Sequence, residues 1–392
     1  MDDDRKLSQP DSEKETRPKK EHTFLKRFGV LCLTLLVVLG AVTVALLGEG
    51  RYLDRVRRWL VYGDSTEENL YAYAADEHNR YGQIGDFLVV LNQNFFQLLE
   101  DDGTAYLSEQ VQLSSPALDV GGELAVAYDV GGQNLYLFSQ EGELLHLTME
   151  EDYGLISAHV NESGYLAVVA EESGYKGAVT VYNDQQERLF AYHSSSQFLV
   201  DAVVSEDCDA VTVAALGQSG EGFCTDLIRY RLTETESSAD ASLTDHLSLE
   251  MDTMGDGCVS VSDSGISFTD AAGNAVGNFT YGGLYLRDYT VGGEDFAALL
   301  LNRYRSGSIG TLVSVGADGQ AIAMLNVTEE VLDVSAAGEY VAVLYSDTLV
   351  IYHRDLTEYS RLEGTNYASH VLMDADGSAL VIGSNSAYRY LP

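Results

Sequence analysis

Cysteine is scarce in this chain, with four in 392 residues, which argues against both a disulfide-built scaffold and a cysteine-rich zinc site. Tryptophan occurs once, as Trp59. Basic residues are short beyond the first 58 positions: residues 59–392 hold 11 Lys and Arg against 52 Asp and Glu, a net of −41, and Lys176 is their only lysine. So acidic a body repels phosphate backbones, and nucleic acid is set aside as a partner. Residues 1–58 run the other way, with 12 basic and 9 acidic side chains. At 45% hydrophobic, the chain is too apolar to be a disordered acidic tail.

Long apolar runs are also missing, with one exception. Gly29 to Gly48 (GVLCLTLLVVLGAVTVALLG) is 20 residues without a charge, enough at about 1.5 Å per residue to cross the roughly 30 Å hydrocarbon core of a bilayer. Eight Lys and Arg precede it and four follow, which orients the N-terminus to the cytoplasm and the rest outside. The run is longer than the apolar core of a cleaved signal peptide, so we expect a retained signal anchor. Tyr52, Val56 and Trp59 recur at helical spacing with Arg57 and Arg58 beside them, which suits a helix end at the headgroup level. The expected organisation is a disordered cytoplasmic tail (1–28), a transmembrane helix (29–48), a juxtamembrane helix or linker (49–68) and an extracytoplasmic domain (69–392).

No helical period of useful length appears beyond residue 70. A repeat does. The strand FLVV at Phe87 returns as LAVA at Leu124, LAVV at Leu166, VTVA at Val211, VSVS at Val259, FAAL at Phe296, VAVL at Val341 and LVIG at Leu380. A glycine precedes it in most copies: Gly85, Gly122, Gly164, Gly257, Gly293, Gly338 and Gly377. Such a residue suits the left-handed position of a hairpin. Four short strands every 40 or so residues predict an all-β fold, a β-propeller of the WD40/YVTN-like repeat kind. Eight blades are expected, with seven as the alternative if the fourth unit (201–248) is partly loop, since TETESSADASLTD reads as an exposed insertion. The last copy ends after its third strand, and residues 69–75 could supply the fourth and close the ring.

Chemistry-bearing motifs are also absent: there is no Gly-rich phosphate loop, HExxH, GxSxG or CxxC. Propeller families of readable activity would add a WD dipeptide, a sialidase aspartate box or a tryptophan docking motif, and none occurs. One constellation stands out. The channel-lining strand of several blades carries a carboxylate at a similar place: Asp119, Asp201, Asp252, Asp288 and Asp333, with Ser157 and His370 matching in two others. Such a collar could hold Ca²⁺. The plainer reading is that each aspartate accepts backbone N–H groups and fixes blade packing, with no cofactor. Asp-rich pieces at 100–103 and 374–377 read as hairpin turns. The eight histidines are scattered singly and read as ordinary surface or core residues. A Cys208–Cys224 disulfide is not favoured by the register.

The juxtamembrane WLVYGD from Trp59, then PALDVGGELAVAYDVGG, GYKGAVTVYN and the closing copies, resemble a membrane-anchored bacterial family catalogued as domain of unknown function 5711, found mainly in Firmicutes. The resemblance covers about residues 25–392. It implies a propeller on a single anchor in the bacterial envelope, and it carries no functional residues. The resulting expectation is a non-enzymatic envelope scaffold on the cell membrane, binding a protein, peptide or glycan. The alternative is a cation-dependent glycan-binding protein or an envelope hydrolase using the channel carboxylates.

Overall fold

The computed structural model describes residues 70–392 apart from Asp152 and Glu221. The expected tail, membrane span and juxtamembrane residues Tyr52, Arg57, Arg58 and Trp59 lie outside them. Among the described residues no helix is long and apolar enough to cross a membrane.

Among the described residues thirty-two strands form eight four-stranded antiparallel sheets, the blades of a β-propeller. Seven are continuous in sequence: β2–β5 (80–110), β6–β9 (116–148), β10–β13 (155–194), β14–β17 (198–244), β18–β21 (248–280), β22–β25 (285–327) and β26–β29 (331–363). The eighth joins β30–β32 (368–390) to β1 (Leu70–Ala72), with Tyr71 opposite Ala387. The N-terminal strand thus closes the ring as the truncated last repeat requires. Pairing with β1 covers the edge that β32 would otherwise expose, and the radial arrangement leaves only short edges.

Burial follows position in the blade. Second and third strands are buried on both faces, as in Ala379–Gly383 and Gly265–Thr269, because a neighbouring blade covers each side. Fourth strands form the rim, and alternate, as in Ala105–Gln110 and Ala275–Thr280. Each apolar cluster bridges two blades. Phe96 of blade one stacks on Phe138 of blade two with ring centroids 4.0 Å apart, and Tyr71, Leu88, Val90, Leu380 and Ile382 join blade eight to blade one.

The fourth blade corrects the sequence reading. Its Ser-rich stretch is a strand, Ser237–Thr244, rather than an insertion. Ala241 and Leu243 point inward while Asp240 and Ser242 alternate with them, a period of two that the polar composition masks. The turn glycines hold at Gly85, Gly122, Gly164, Gly338 and Gly377. In blades four, five and six, Cys208 (φ 58°), Gly255 (φ 55°) and Asp295 (φ 58°) take the left-handed position instead. Cys208, Cys224 and Cys258 are free thiols.

The propeller has two unlike faces. One, the hairpin face, carries the turns joining first to second and third to fourth strands. The other, the crossover face, carries the second-to-third turns and the links between blades. Phe95, Val130, Tyr175, Phe198, Phe223, Leu247, Tyr285, Tyr304, Ile309 and Tyr367 are exposed at the crossover face. None of the exposed large apolar side chains among the described residues lies in a hairpin-face turn.

Candidate functional site at the channel mouth

The first strand of each blade lines the channel, and six of them carry a one-residue bulge near their start. A bulge re-aims the side chain that follows it. Those residues are Ser157, Asp201, Glu250, Asp288, Asp333 and His370. Three are expected carboxylates. In blade five the position belongs to Glu250, with Asp252 two residues deeper, and Asp119 also lies in that deeper tier. The five aspartates therefore stand in two tiers rather than one collar.

Hydrogen bonds define the tiers. The Met251 N–H donates to Asp201 Oδ2 (2.7 Å) and the Val371 N–H to Asp333 Oδ2 (2.8 Å), one residue past the equivalent position of the next blade. Asp288 accepts from the Val334 backbone in the same way. In the deeper tier the Val160 N–H donates to Asp119 Oδ2 (2.8 Å), the Ala336 N–H to the Thr290 hydroxyl (3.1 Å) and the Met373 N–H to the Ser335 hydroxyl (3.0 Å), three residues past it. Each such bond satisfies a channel-side N–H that has no ladder partner, and sews one blade to the next.

His159, which the sequence pattern did not single out, occupies the same tier as Asp119. Its Nε2 lies 2.9 Å from Asp201 Oδ1 and its Nδ1 3.4 Å from Asp119 Oδ1, so one imidazole spans blades two, three and four. Burial opposes a charge there, but Asp201 and Asp119 outweigh it and hold the His159 pKa well above its ordinary value. The burial of Asp201 is likewise overcome by His159, which keeps that carboxyl below the ordinary range. Asp252 has no such partner. Burial, reinforced by Asp119, pushes it up to about 7. Asp288 is raised to about 6 by burial and then by Asp333. Glu250, raised by burial, accepts the Tyr289 hydroxyl at 2.6 Å.

Toward the hairpin face the channel opens into a cavity of about 660 Å³, walled by Asp119, His159 and Asp252 and, from the turns, Glu162, Glu206, Glu294 and Asp295. Asp201, Asp288 and Asp333 lie outside its wall. Gly121 lets blade two close on blade three there, since a Cβ would stand 2.0 Å from the Val160 carbonyl oxygen. All eight first-to-second-strand turns carry at least one carboxylate: Asp86, Glu123, Glu162, Glu206, Asp256, Glu294, Glu339 and Asp376. None carries a Lys or Arg. Burial and then repulsion from Glu162, Asp256 and Asp295 raise the Glu206 carboxyl above its ordinary value. Among the described residues no group of three or more His, Cys, Asp or Glu side chains is arranged to hold a metal ion. The carboxylates are spread around a wide mouth, whereas calcium needs oxygens within about 2.6 Å of one centre. The turn acids were legible as a repeat, one per turn beside the aligned strand. His159 had a weaker signal, two residues beyond Ser157 on the same strand face.

Residues 60–247 match the model of the family of unknown function DUF5711. The matched part holds blades one to four, including the two blades whose motifs carry the resemblance; it is shorter than the span over which the sequence was read as similar. No curated protein matches the chain. Among solved structures, the C-terminal WD40 domain of Sif2 is similar with a TM-score of 0.57 and 13% identity, covering 83% of this chain and 98% of that one. BamB from Moraxella catarrhalis gives 0.51 and 9% identity, covering 82% and 99%. The dihydro-heme d1 dehydrogenase NirN gives 0.51 and 12%, covering 75% and 67%. At these identities the likeness is one of fold alone.

Proposed function

We propose that this DUF5711 protein is a non-enzymatic binding module of the cell envelope, held to the membrane by residues 29–48, that receives a cationic peptide segment of a partner at the mouth of its channel. The carrying observation is the ring of turn carboxylates around a cavity of about 660 Å³. Its wall holds one cationic side chain, His159, and that charge is already matched by Asp119 and Asp201. A low-dielectric funnel lined by one sign of charge concentrates ligands of the other. The width of the mouth suits a lysine- or arginine-bearing chain better than a dehydrated ion.

The test uses the full chain in lipid nanodiscs, titrated calorimetrically with an octalysine peptide. We expect saturable binding that weakens steeply with salt and falls at least tenfold in the E206Q/E294Q/D295N variant. Binding unchanged in that variant would sink the assignment. The anchor is checked separately: the protein should stay in the membrane pellet through alkaline carbonate extraction, and release into the supernatant would refute it.

A second reading has one specific observation behind it. Asp252 is held up near 7 while Asp201 is held below the ordinary range, the divergence that paired acid and base carboxylates use in glycoside hydrolysis. That reading expects turnover of an envelope glycan that D252N abolishes; the binding module expects none.

A further inference from the structure

Blade six departs from the eightfold repeat at one corner of the crossover face, where a long turn and a charged bulge residue coincide. Its second-to-third turn is seven residues long (303–309, RYRSGSI), where blades five, seven and eight use two. At the bulge of the first strand, where blades three, four, five and seven carry Ile156, Val200, Leu249 and Leu332, blade six carries Arg287. Arg287 and Arg305 line a cavity of about 540 Å³ together with Asn302, Ser306, Ser308 and Glu330.

The pocket is built, not incidental. Asn302, only 4% exposed, donates from Nδ2 to the Gly307 carbonyl at 2.9 Å and so holds the long turn from beneath. The Arg305 guanidinium lies 5.4 Å from the centre of the Tyr285 ring, a cation–π contact that orients it. Four of the scarce cations, Arg229, Arg231, Arg361 and Arg389, are paired with Asp209, Glu234, Glu358 and Asp374, whereas Arg80, Lys176, Arg188 and Arg354 stand apart from one another in other blades. Among the described residues Arg287, Arg303 and Arg305 make no ion pair, in a chain with 61 Asp and Glu to choose from. Beside them Tyr304 is 68% and Ile309 67% exposed.

We propose that this corner is a second binding site, for a peptide segment carrying one carboxylate flanked by apolar side chains. Arg287 and Arg305 would take the carboxylate, since planar guanidinium groups match it bidentately. Tyr304 and Ile309 would cover the apolar flanks, and arginine and tyrosine are the residue types in which interface energy concentrates. Glu330 in the wall disfavours a phosphate or other multiply charged anion while it can accept a peptide N–H. An extended polyanion is disfavoured further by the net of −41 on the surrounding body.

The experiment is selection of a randomised twelve-residue phage-displayed library on the full-length protein, followed by titration of the enriched peptide. Enrichment of sequences with a single Asp or Glu beside aromatic or aliphatic residues is expected, with at least tenfold weaker binding to R287Q/R305Q and to the peptide's Asn or Gln counterpart. The E206Q/E294Q/D295N variant should bind that peptide normally, which separates this site from the channel mouth. No enrichment, enrichment of basic sequences, equal binding to R287Q/R305Q, or competition by inorganic phosphate or phosphatidylglycerol vesicles at peptide-like concentrations would each overturn the proposal. Both arginines are solvent-facing, so an unchanged melting temperature certifies that the variant is folded.

Discussion

The two faces of the propeller are made from the same repeat, yet they carry opposite surface chemistry. Turns on the hairpin face are tight and acidic, with a carboxylate in every first-to-second-strand turn and no exposed large apolar side chain among the described residues. The crossover face varies in turn length from two to seven residues and exposes aromatic and aliphatic side chains together with Lys176, Arg303 and Arg305. Uniformity on one side and irregularity on the other imply different constraints. A charge repeated in eight turns acts as a ring around the channel axis, and its effect depends on the sum. An irregular face acts locally, one corner at a time. Just inside the acidic mouth, carboxylates change role again, from exposed repulsion to buried stitching between blades.

The largest expected effect separates stitching from repulsion. Removing the imidazole with H159A leaves Asp119 and Asp201 without their shared cation, and breaking one side of a buried ion pair costs about 3–5 kcal/mol. The His159 pKa is raised in the folded protein, so its contribution is fully present below the ordinary histidine value and is lost as pH climbs through the folded pKa. Denaturant titration should therefore show a loss of about 3 kcal/mol at pH 6 that shrinks in strongly alkaline buffer. The triple change D119N/H159Q/D201N, which removes charge and countercharge together, should cost less than H159A alone. A cost under about 1 kcal/mol for H159A would mean that the collar behaves like a surface pair and that the contrast drawn above fails.

A smaller effect, of opposite sign, belongs to Asp252. Its carboxyl is raised to about 7 by burial and by Asp119. Between the unfolded value and 7 the folded state holds a proton that the unfolded chain has released, so stability falls as pH rises across that interval. D252N removes the ionisation and keeps an oxygen to accept the Thr253 N–H, now bonded at 2.7 Å. We expect it to stabilise the protein by about 1–2 kcal/mol at pH 8 and to change little at pH 4, read from melting curves at both. Destabilisation at pH 8 would show that the buried charge has a partner the geometry does not reveal.

These buried groups also mark how far the sequence could be read. Eight blades, the closing strand and the turns at Asp102 and Asp376 were legible because strand period and turn chemistry are local: alternation and a left-handed glycine repeat wherever a hairpin does. In blade five the residue after the bulge is Glu250 and not Asp252; residues two apart on a strand share a face, so alternation alone does not tell one tier from the other. His159 was passed over for a related reason. Its partners stand 40 residues before it and 42 after, and only the ring brings three first strands together. The Arg287 corner was illegible by the same logic, since a lone arginine at a bulge becomes a pocket only beside a turn of another strand.

The smallest effect tests whether the mouth is repulsive at all. Glu206 is exposed, and its carboxyl is raised by burial and then by Glu162, Asp256 and Asp295. Because solvent screens exposed charges, relieving that repulsion with E206Q should add only a few tenths of a kcal/mol, against the kcal-scale losses of the collar. The gain should appear at low ionic strength and vanish near 1 M salt, where the Debye length falls to about 3 Å. A double substitution on the other face, Y304S/I309S, gives the control: both side chains are mostly in water, so stability should stay within about 0.5 kcal/mol at every salt concentration. If E206Q were instead destabilising, the acidic ring would be holding something in place rather than standing open, and the mouth would have to be read as part of the scaffold.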